Sequence, residues 1–186
     1  MNPFAILEKH YDPFGEAHRI LVIHSVLVAR KAREIAANLL EKRPGVQVDM
    51  DFLTEAALLH DIGIKQCHAP EIGCFGTEPY IRHGILGRKI VEAEGYPRHA
   101  LVCARHTGTG ITRAEVRQQG LPLPEDDYLP VTIEEKLVCA ADKFYGKNPE
   151  KLWRERKTKG VEKSIGKHGV AALERWKVLR DELAMD

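Results

Sequence analysis

Two adjacent residues, His60 and Asp61, close the apolar run Ala56-Ala57-Leu58-Leu59 and are followed at once by Ile62-Gly63. Burying a carboxylate beside an imidazole is costly unless both are paired or coordinated. A divalent cation compensates both together, because carboxylate and neutral imidazole are ligands of the harder transition metals. Taken alone, the dipeptide reads more simply as a helix end carrying a capping or solvated pair. Four further residues of ligand type, His24, His83, His106 and Asp142, shift that balance. Each falls on the inner face or at the end of a helical segment. Together the six favour a metal site built from the side chains of facing helices, as helical bundles commonly build them.

The elements that must position these residues follow from apolar periodicity. Over residues 16–42, Ile20, Ile23, Leu27, Ile35 and Leu39 recur at three-and-four spacing, which predicts a long amphipathic helix stopped at Pro44-Gly45. Leu21, Leu27 and Val28 stand three or four positions from His24 and place it on the inward face. A second helix starts near Asp51 as N-cap and ends in His60-Asp61, where Gly63 fits a backbone that turns or approaches something closely. Residues 65–79 read as a long polar loop beside the pair. A third helix over residues 80–94 carries His83 in its first turn and is closed by Gly95-Tyr96-Pro97. Pro97 opens a fourth, ending at His106 before the turn Thr107-Gly108-Thr109-Gly110.

Residues 111–130 predict a loop with one short helix. Thr132-Ile133-Glu134-Glu135 reads as a capping box opening a helix to about Phe144, with Asp142 on its apolar side. Asn148-Pro149 caps a short helix through Trp153, and a final amphipathic helix over residues 170–183 carries Leu173, Trp176 and Leu179. Residues 46–48 suit a brief extended piece. The 186 residues thus predict an all-α, single-domain helical bundle.

Composition narrows the function classes. Apolar residues make up 44% and charged residues 30%, and the net charge of +1 provides no basic field of the kind that binds nucleic acid. No dedicated nucleic-acid-binding region and no membrane-spanning run stand out. Cys67, Cys74, Cys103 and Cys139 form no CxxC pair and fit reduced thiols in a cytoplasmic protein. His68 with Cys67 and Cys74 makes an incomplete tetrahedral set for zinc. The C-terminal helix, with Trp153 and Trp176 nearby, suits a homodimer contact as well as a core.

The order His24, His60-Asp61, Asp142 resembles the HD superfamily of metal-dependent phosphohydrolases, and His60-Asp61-Ile62-Gly63 matches its HDIG variant letter for letter. The resemblance covers residues 16–146 and leaves 147–186 as a helical extension. It implies an HD-type helical bundle in which His24, His60, Asp61 and Asp142 bind a divalent metal. His83, within Arg82-His83-Gly84, and His106, within Arg105-His106-Thr107-Gly108, are similar to the branch that holds two metals. That resemblance implies that Asp61 bridges both ions, with His83 and His106 completing the second, and Asp61 is the expected catalytic residue. The ligand order is closest to the bacterial diadenosine tetraphosphate hydrolase group, which implies iron or manganese; zinc, nickel, cobalt and magnesium also suit such ligands. Gly95-Tyr96-Pro97 spells the tripeptide of the cyclic-di-GMP phosphodiesterase branch, but it stands before His106 without that branch's preceding elements, and reads as a helix stop and restart.

The resemblance implies a phosphohydrolase acting on a nucleotide or other small phosphate ester or anhydride through a metal-activated hydroxide. Lys65, Arg82, Arg105 and Lys143 are placed by adjacency to receive the substrate phosphate, and the Thr107-Gly108 turn offers backbone N–H groups. Loops 65–79 and 107–130 are expected to set substrate choice. Two other readings stand beside this one: a di-iron oxygenase on the same scaffold, and a non-catalytic nucleotide-binding or regulatory protein.

Overall fold

Helix α2 (Glu16–Lys42) is the axis on which the other elements pack, and its sequence explains why. Ile20, Leu21, His24, Leu27, Val28, Ala32, Ile35, Ala36 and Leu39 are all buried, forming a continuous apolar stripe along 27 residues. The computed structural model describes residues 1–185. In chain order, α1 (Pro3–His10) precedes α2, followed by α3 (Met50–Leu59), α4 (His83–Ala93), α5 (Pro97–Arg105), α6 (Arg113–Gln118), α7 (Ile133–Asp142), α8 (Thr158–Gly166) and α9 (Val170–Glu182). The fold is an all-α helical bundle. The two-residue strands β1 (His68–Ala69) and β2 (Cys74–Phe75) pair antiparallel, with His68 opposite Phe75 and Ala69 opposite Cys74.

Several boundaries differ from expectation for local reasons. The cap of α3 is Asp49, whose carboxylate accepts the Phe52 N–H at 3.0 Å, in place of Asp51. Residues 46–48 connect α2 to α3 without strand pairing. Tyr80–Arg82 forms a 3-10 turn before α4 begins at His83. Only a 3-10 turn, Pro149–Lys151, follows Asn148, whereas α8 arises where Val161 and Ile165 are the sole buried anchors in a polar stretch. The capping box of α7 is half made. Thr132 Oγ1 accepts the Glu135 N–H, but the Glu135 carboxylate turns away to accept from the Val131 N–H at 2.6 Å and from Arg105.

Two apolar cores meet along the bundle. One gathers the second half of α2 with α3, α7, α8 and α9 around Trp176, which is fully buried. The other gathers α1, the first half of α2, α4 and α5. Trp153, by contrast, is exposed. Adjacent residues divide between the cores: Leu58 belongs to the first and Leu59 to the second, as do Val102 and Cys103. The stripe on α2 changes core between Leu21 and Leu27, where His24 stands.

Gly63 shows how tightly the turn after Asp61 is docked. A Cβ there would lie 2.1 Å from the His83 carbonyl oxygen and 2.4 Å from the Gly87 nitrogen, so the requirement is close approach to the α4 backbone. Main chain cannot yield as a side chain does. Gly63→Ala should therefore cost at least about 2 kcal/mol or prevent folding, whereas Gly45→Ala, with nothing within 4 Å of its Cβ, should leave the thermal midpoint nearly unchanged. Thermal unfolding of the two variants checks this.

Candidate metal centre

The six ligand-type residues arrive from five helices. His24 lies within α2, His60 and Asp61 follow α3, His83 opens α4, His106 follows α5, and Asp142 ends α7. His24, His60 and Asp61 are fully buried, and His83 and His106 nearly so. They form two groups, His24 with His60, Asp61 and Asp142, and Asp61 with His83 and His106, each with its ligand atoms within 4.8 Å of one another. Asp61 belongs to both.

Its two oxygens are divided between the groups. Oδ2 lies 3.1 Å from His24 Nε2 and 3.0 Å from His60 Nε2, while Oδ1 lies 3.4 Å from both His83 Nε2 and His106 Nε2. Asp142 Oδ1 completes the first group at 3.0 Å from His24 Nε2 and 3.5 Å from His60 Nε2.

Three of the four rings are oriented by the same device. Nδ1 of His60 faces the Ala57 carbonyl at 2.7 Å, Nδ1 of His83 the Tyr80 carbonyl at 2.7 Å, and Nδ1 of His106 the Cys103 carbonyl at 2.8 Å. A carbonyl accepts only, so each Nδ1 carries a hydrogen and, in the neutral ring, each Nε2 presents a lone pair inward. This is how ligating histidines are held. The Nε2 atoms of His83 and His106 approach to 3.0 Å, where two lone pairs repel unless a cation or a proton lies near. Burial pushes His83 down to about 3 and also lowers His106, which opposes the proton. His60 Nε2 and both Asp61 oxygens make no hydrogen bond of good geometry. The donor set, its tautomers and its orphaned atoms fit a divalent cation.

Electrostatics bind the carboxylates in their charged form. Burial alone would raise Asp61 and Asp142, but His60 and Lys147 outweigh it at Asp61, and Lys143 and His24 at Asp142, so both lie well below the usual range. Burial disfavours charge on His60, yet Asp61 and Asp142 hold it up at about 9. The turn after Asp61 is strapped by Tyr11, whose hydroxyl donates to the Ile62 carbonyl at 2.7 Å and accepts the Lys65 N–H at 3.0 Å.

A cleft of about 430 Å³ opens on the site and is floored by His83, His106 and Asp142. Of the residues expected at a substrate phosphate, Thr107, Gly108 and Lys143 line it. The other three lie elsewhere. The Lys65 ammonium bonds the His10 carbonyl and sits over the Tyr11 ring. Arg82 pairs with Glu78 and donates to the Pro122 carbonyl. Arg105 locks α5 to α7 by pairing with buried Glu135 at 3.0 Å. Residues 65–79, expected to shape substrate choice, fold into the β1–β2 hairpin and line none of the cleft; part of 107–130 does.

The opposite wall comes from the C-terminal extension. Arg156, Ser164, Ile165, His168, Ala172 and Arg175 line it. It is tied to the 107–110 turn, since Thr109 Oγ1 donates to the Ala172 carbonyl at 3.0 Å and Arg175 to the Gly110 carbonyl at 3.1 Å. Sequence reasoning also missed Lys147, whose ammonium pairs with Asp61 Oδ2 at 2.5 Å. Its nearest sequence signal was a position five residues beyond Asp142.

Comparison with known proteins agrees with this arrangement: the HD domain matches residues 21–146, about two thirds of the chain. The chain belongs to the HD domain family. An uncharacterized protein of Methanocaldococcus jannaschii is 34% identical over 165 residues, covering 88% of this chain and 87% of that protein. Two proteins named tRNA (cytidine(56)-2'-O)-methyltransferase also match. That of Thermoplasma volcanium is 32% identical over 117 residues, and that of Picrophilus torridus 37% over 98 residues. The matches cover 62% and 52% of this chain but only 30% and 25% of those proteins. No solved structure matches. Similarity to the diadenosine tetraphosphate hydrolase group is not among these findings. Among the described residues no helix is long and apolar enough to cross a membrane.

Because a metal-binding imidazole must be neutral, ion uptake has to displace the proton that His60 holds up to about pH 9. Apparent affinity for a divalent ion should therefore rise roughly tenfold per pH unit from this residue between pH 7 and 9 and level off above. Calorimetric titration with manganese across that range, in buffers of different ionisation enthalpy, should show proton release; a flat profile would contradict the assignment.

Proposed function

We propose that this HD protein is a metal-dependent phosphohydrolase whose two ligand groups hold a pair of divalent ions, with Asp61 as the bridge. The observation that carries the reading is the division of the Asp61 oxygens, Oδ2 toward His24 and His60 and Oδ1 toward His83 and His106. His24, His60, Asp61 and Asp142 would hold one ion, and Asp61, His83 and His106 the other. Such ions supply an activated water and offset negative charge on a phosphoryl group. Iron or manganese is the pair of metals we favour, from the resemblance in ligand order, although imidazole and carboxylate donors suit zinc, nickel, cobalt and magnesium as well.

This chain's own residues do the rest. His60, His83 and His106 are locked in one tautomer by the carbonyls behind them, so no side-chain reorganisation accompanies charge development. Lys143, held at 2.6 Å from Asp142 Oδ2, and the Thr107-Gly108 turn stand at the cleft floor to receive phosphate oxygens. Ile81, Ile111, Leu121, Ile165 and Ala172 give the cleft an apolar lining above that floor. A phosphate ester or anhydride with an organic group, such as a small nucleotide, matches a polar floor under walls that mix apolar side chains with Arg156, Ser164, His168 and Arg175. The similarity of part of the chain to two proteins named as tRNA methyltransferases is a reason to include RNA nucleotides among the substrates tried. We further propose that the protein works in the cytoplasm on a small molecule, with residues 1–186 acting as one domain.

The decisive experiment is metal analysis of protein purified without chelators, joined to a hydrolysis panel of mononucleotides, dinucleotides and dinucleoside polyphosphates. Asp61→Ala should lose both ions and reduce phosphate release at least about a hundredfold while keeping its helical content. Full activity in that variant would end the hydrolase reading. His83→Ala should lower the stoichiometry from two ions to one, measured by elemental analysis; retention of two would remove the bridge.

A further inference from the structure

Lys147 stands at the boundary between the ligand groups and the cleft, outside the residues matched by the HD domain. Its ammonium pairs with Asp61 Oδ2, the oxygen shared with His24 and His60, and its side chain also lines the cleft. A cation and an ammonium on one carboxylate oxygen repel each other, so Lys147 opposes the ion that Asp61 serves. A residue there only to stabilise the ligands would not carry that sign.

The other carboxylates facing the cleft already have cations. Asp142 is paired with Lys143 at 2.6 Å and Glu115 with Arg175 at 2.8 Å. The Tyr80 hydroxyl also faces the ammonium, but burial keeps it protonated and it balances no charge, so once Asp61 is shared with metal the Lys147 charge is directed to an anion in the cleft. The backbone that delivers it is held firmly. The Arg156 N–H donates to the Phe144 carbonyl at 2.8 Å and its guanidinium to the Lys143 carbonyl at 3.2 Å. A Cβ on Gly146 would lie 2.9 Å from Arg156 Nη2, so the strap closes directly over the residue before Lys147. From that fixed point the flexible four-carbon stem lets the ammonium serve either Asp61 or the cleft.

Resting on the hydrolase reading above, we propose that Lys147 is an anion-positioning residue that couples ion occupancy to phosphate binding: it weakens the ion when the cleft is empty and recruits the phosphoryl group when the ion is bound. Coupling of this kind is reciprocal, so phosphate should also tighten the metal.

The test uses the full chain, manganese and inorganic phosphate, with binding read by calorimetry. Lys147→Met should bind manganese several-fold more tightly than wild type without phosphate, and when loaded should bind phosphate at least tenfold more weakly. Phosphate should no longer tighten manganese in that variant, and Lys147→Arg should restore part of the coupling. If manganese and phosphate affinities fall together, Lys147 merely supports the ligands and the proposal is overturned. Unchanged phosphate affinity overturns it as well. Should Lys147→Met fail to fold, Lys147→Gln replaces it, and failure of both assigns a structural role against the proposal. Wild-type protein that takes up no divalent ion removes the hydrolase reading itself; wild type that binds both probes, with an indistinguishable Lys147→Met, removes only this inference.

Discussion

A carboxylate with no exposure to water, Asp61, is the constraint on which the rest of this structure turns. Burying that charge is unfavourable unless every lone pair meets a positive or hydrogen-bonding partner. Four imidazoles and one ammonium surround it. They come from α2, α3, α4, α5 and the segment after α7, so the bundle closes on five sides around one residue whose oxygens, like the inward Nε2 lone pairs of the neutral rings, lack a hydrogen-bond partner of good geometry and fit a shared cation. The helices are amphipathic in the ordinary way, but their ends are placed by this requirement: α3, α5 and α7 each stop within two residues of a ligand.

The surrounding cores explain why the arrangement is rigid. His24 sits where the buried stripe of α2 passes from one apolar core to the other, and His60-Asp61 follows Leu58 and Leu59, which anchor in different cores. Well-packed interiors transmit displacement instead of absorbing it. The clustered side chains are thus fixed from both sides, and the backbone carbonyls of Ala57, Tyr80 and Cys103 fix ring rotation as well. The cleft is built differently. Its floor belongs to the bundle, whereas its far wall comes from α8 and α9, joined to the 107–110 turn by hydrogen bonds from Thr109 and Arg175.

The bundle and the inward placing of the clustered His and Asp side chains were legible in the sequence because both depend on local periodicity. His24 could be placed inward from Leu21, Leu27 and Val28, and α2 runs over the residues its apolar spacing marked. The six ligand types were visible as types, and the structure gathers them. What the sequence hid was long-range pairing. Arg105 looked free beside His106 but is taken by Glu135, thirty residues on, which also leaves the α7 capping box incomplete. Lys65 looked well placed after the HDIG turn but points to α1. Lys147 lies past the last motif residue, and nothing in its neighbours' spacing marks it as partly buried next to Asp61. Tyr11 was equally silent, because its role is a hydroxyl bridging main-chain atoms more than fifty residues away.

The contact of Gly63 with the α4 backbone has a consequence for how such a site can diversify. His83 and Gly87 touch the turn after Asp61 through main chain, so the separation of the two ligand groups is gauged by backbone thickness and not by side-chain size. Exchanging a ligand or repacking a core residue can alter which ion is preferred or how tightly it is held. Changing the spacing between the groups would require moving a whole helix. Variation among chains built on this plan is therefore channelled away from that spacing and into the cleft-facing side chains of α8 and its C-terminal turn, such as Ser164 and His168, while Val161, Ala172 and Trp176 keep α8 and α9 packed in the core.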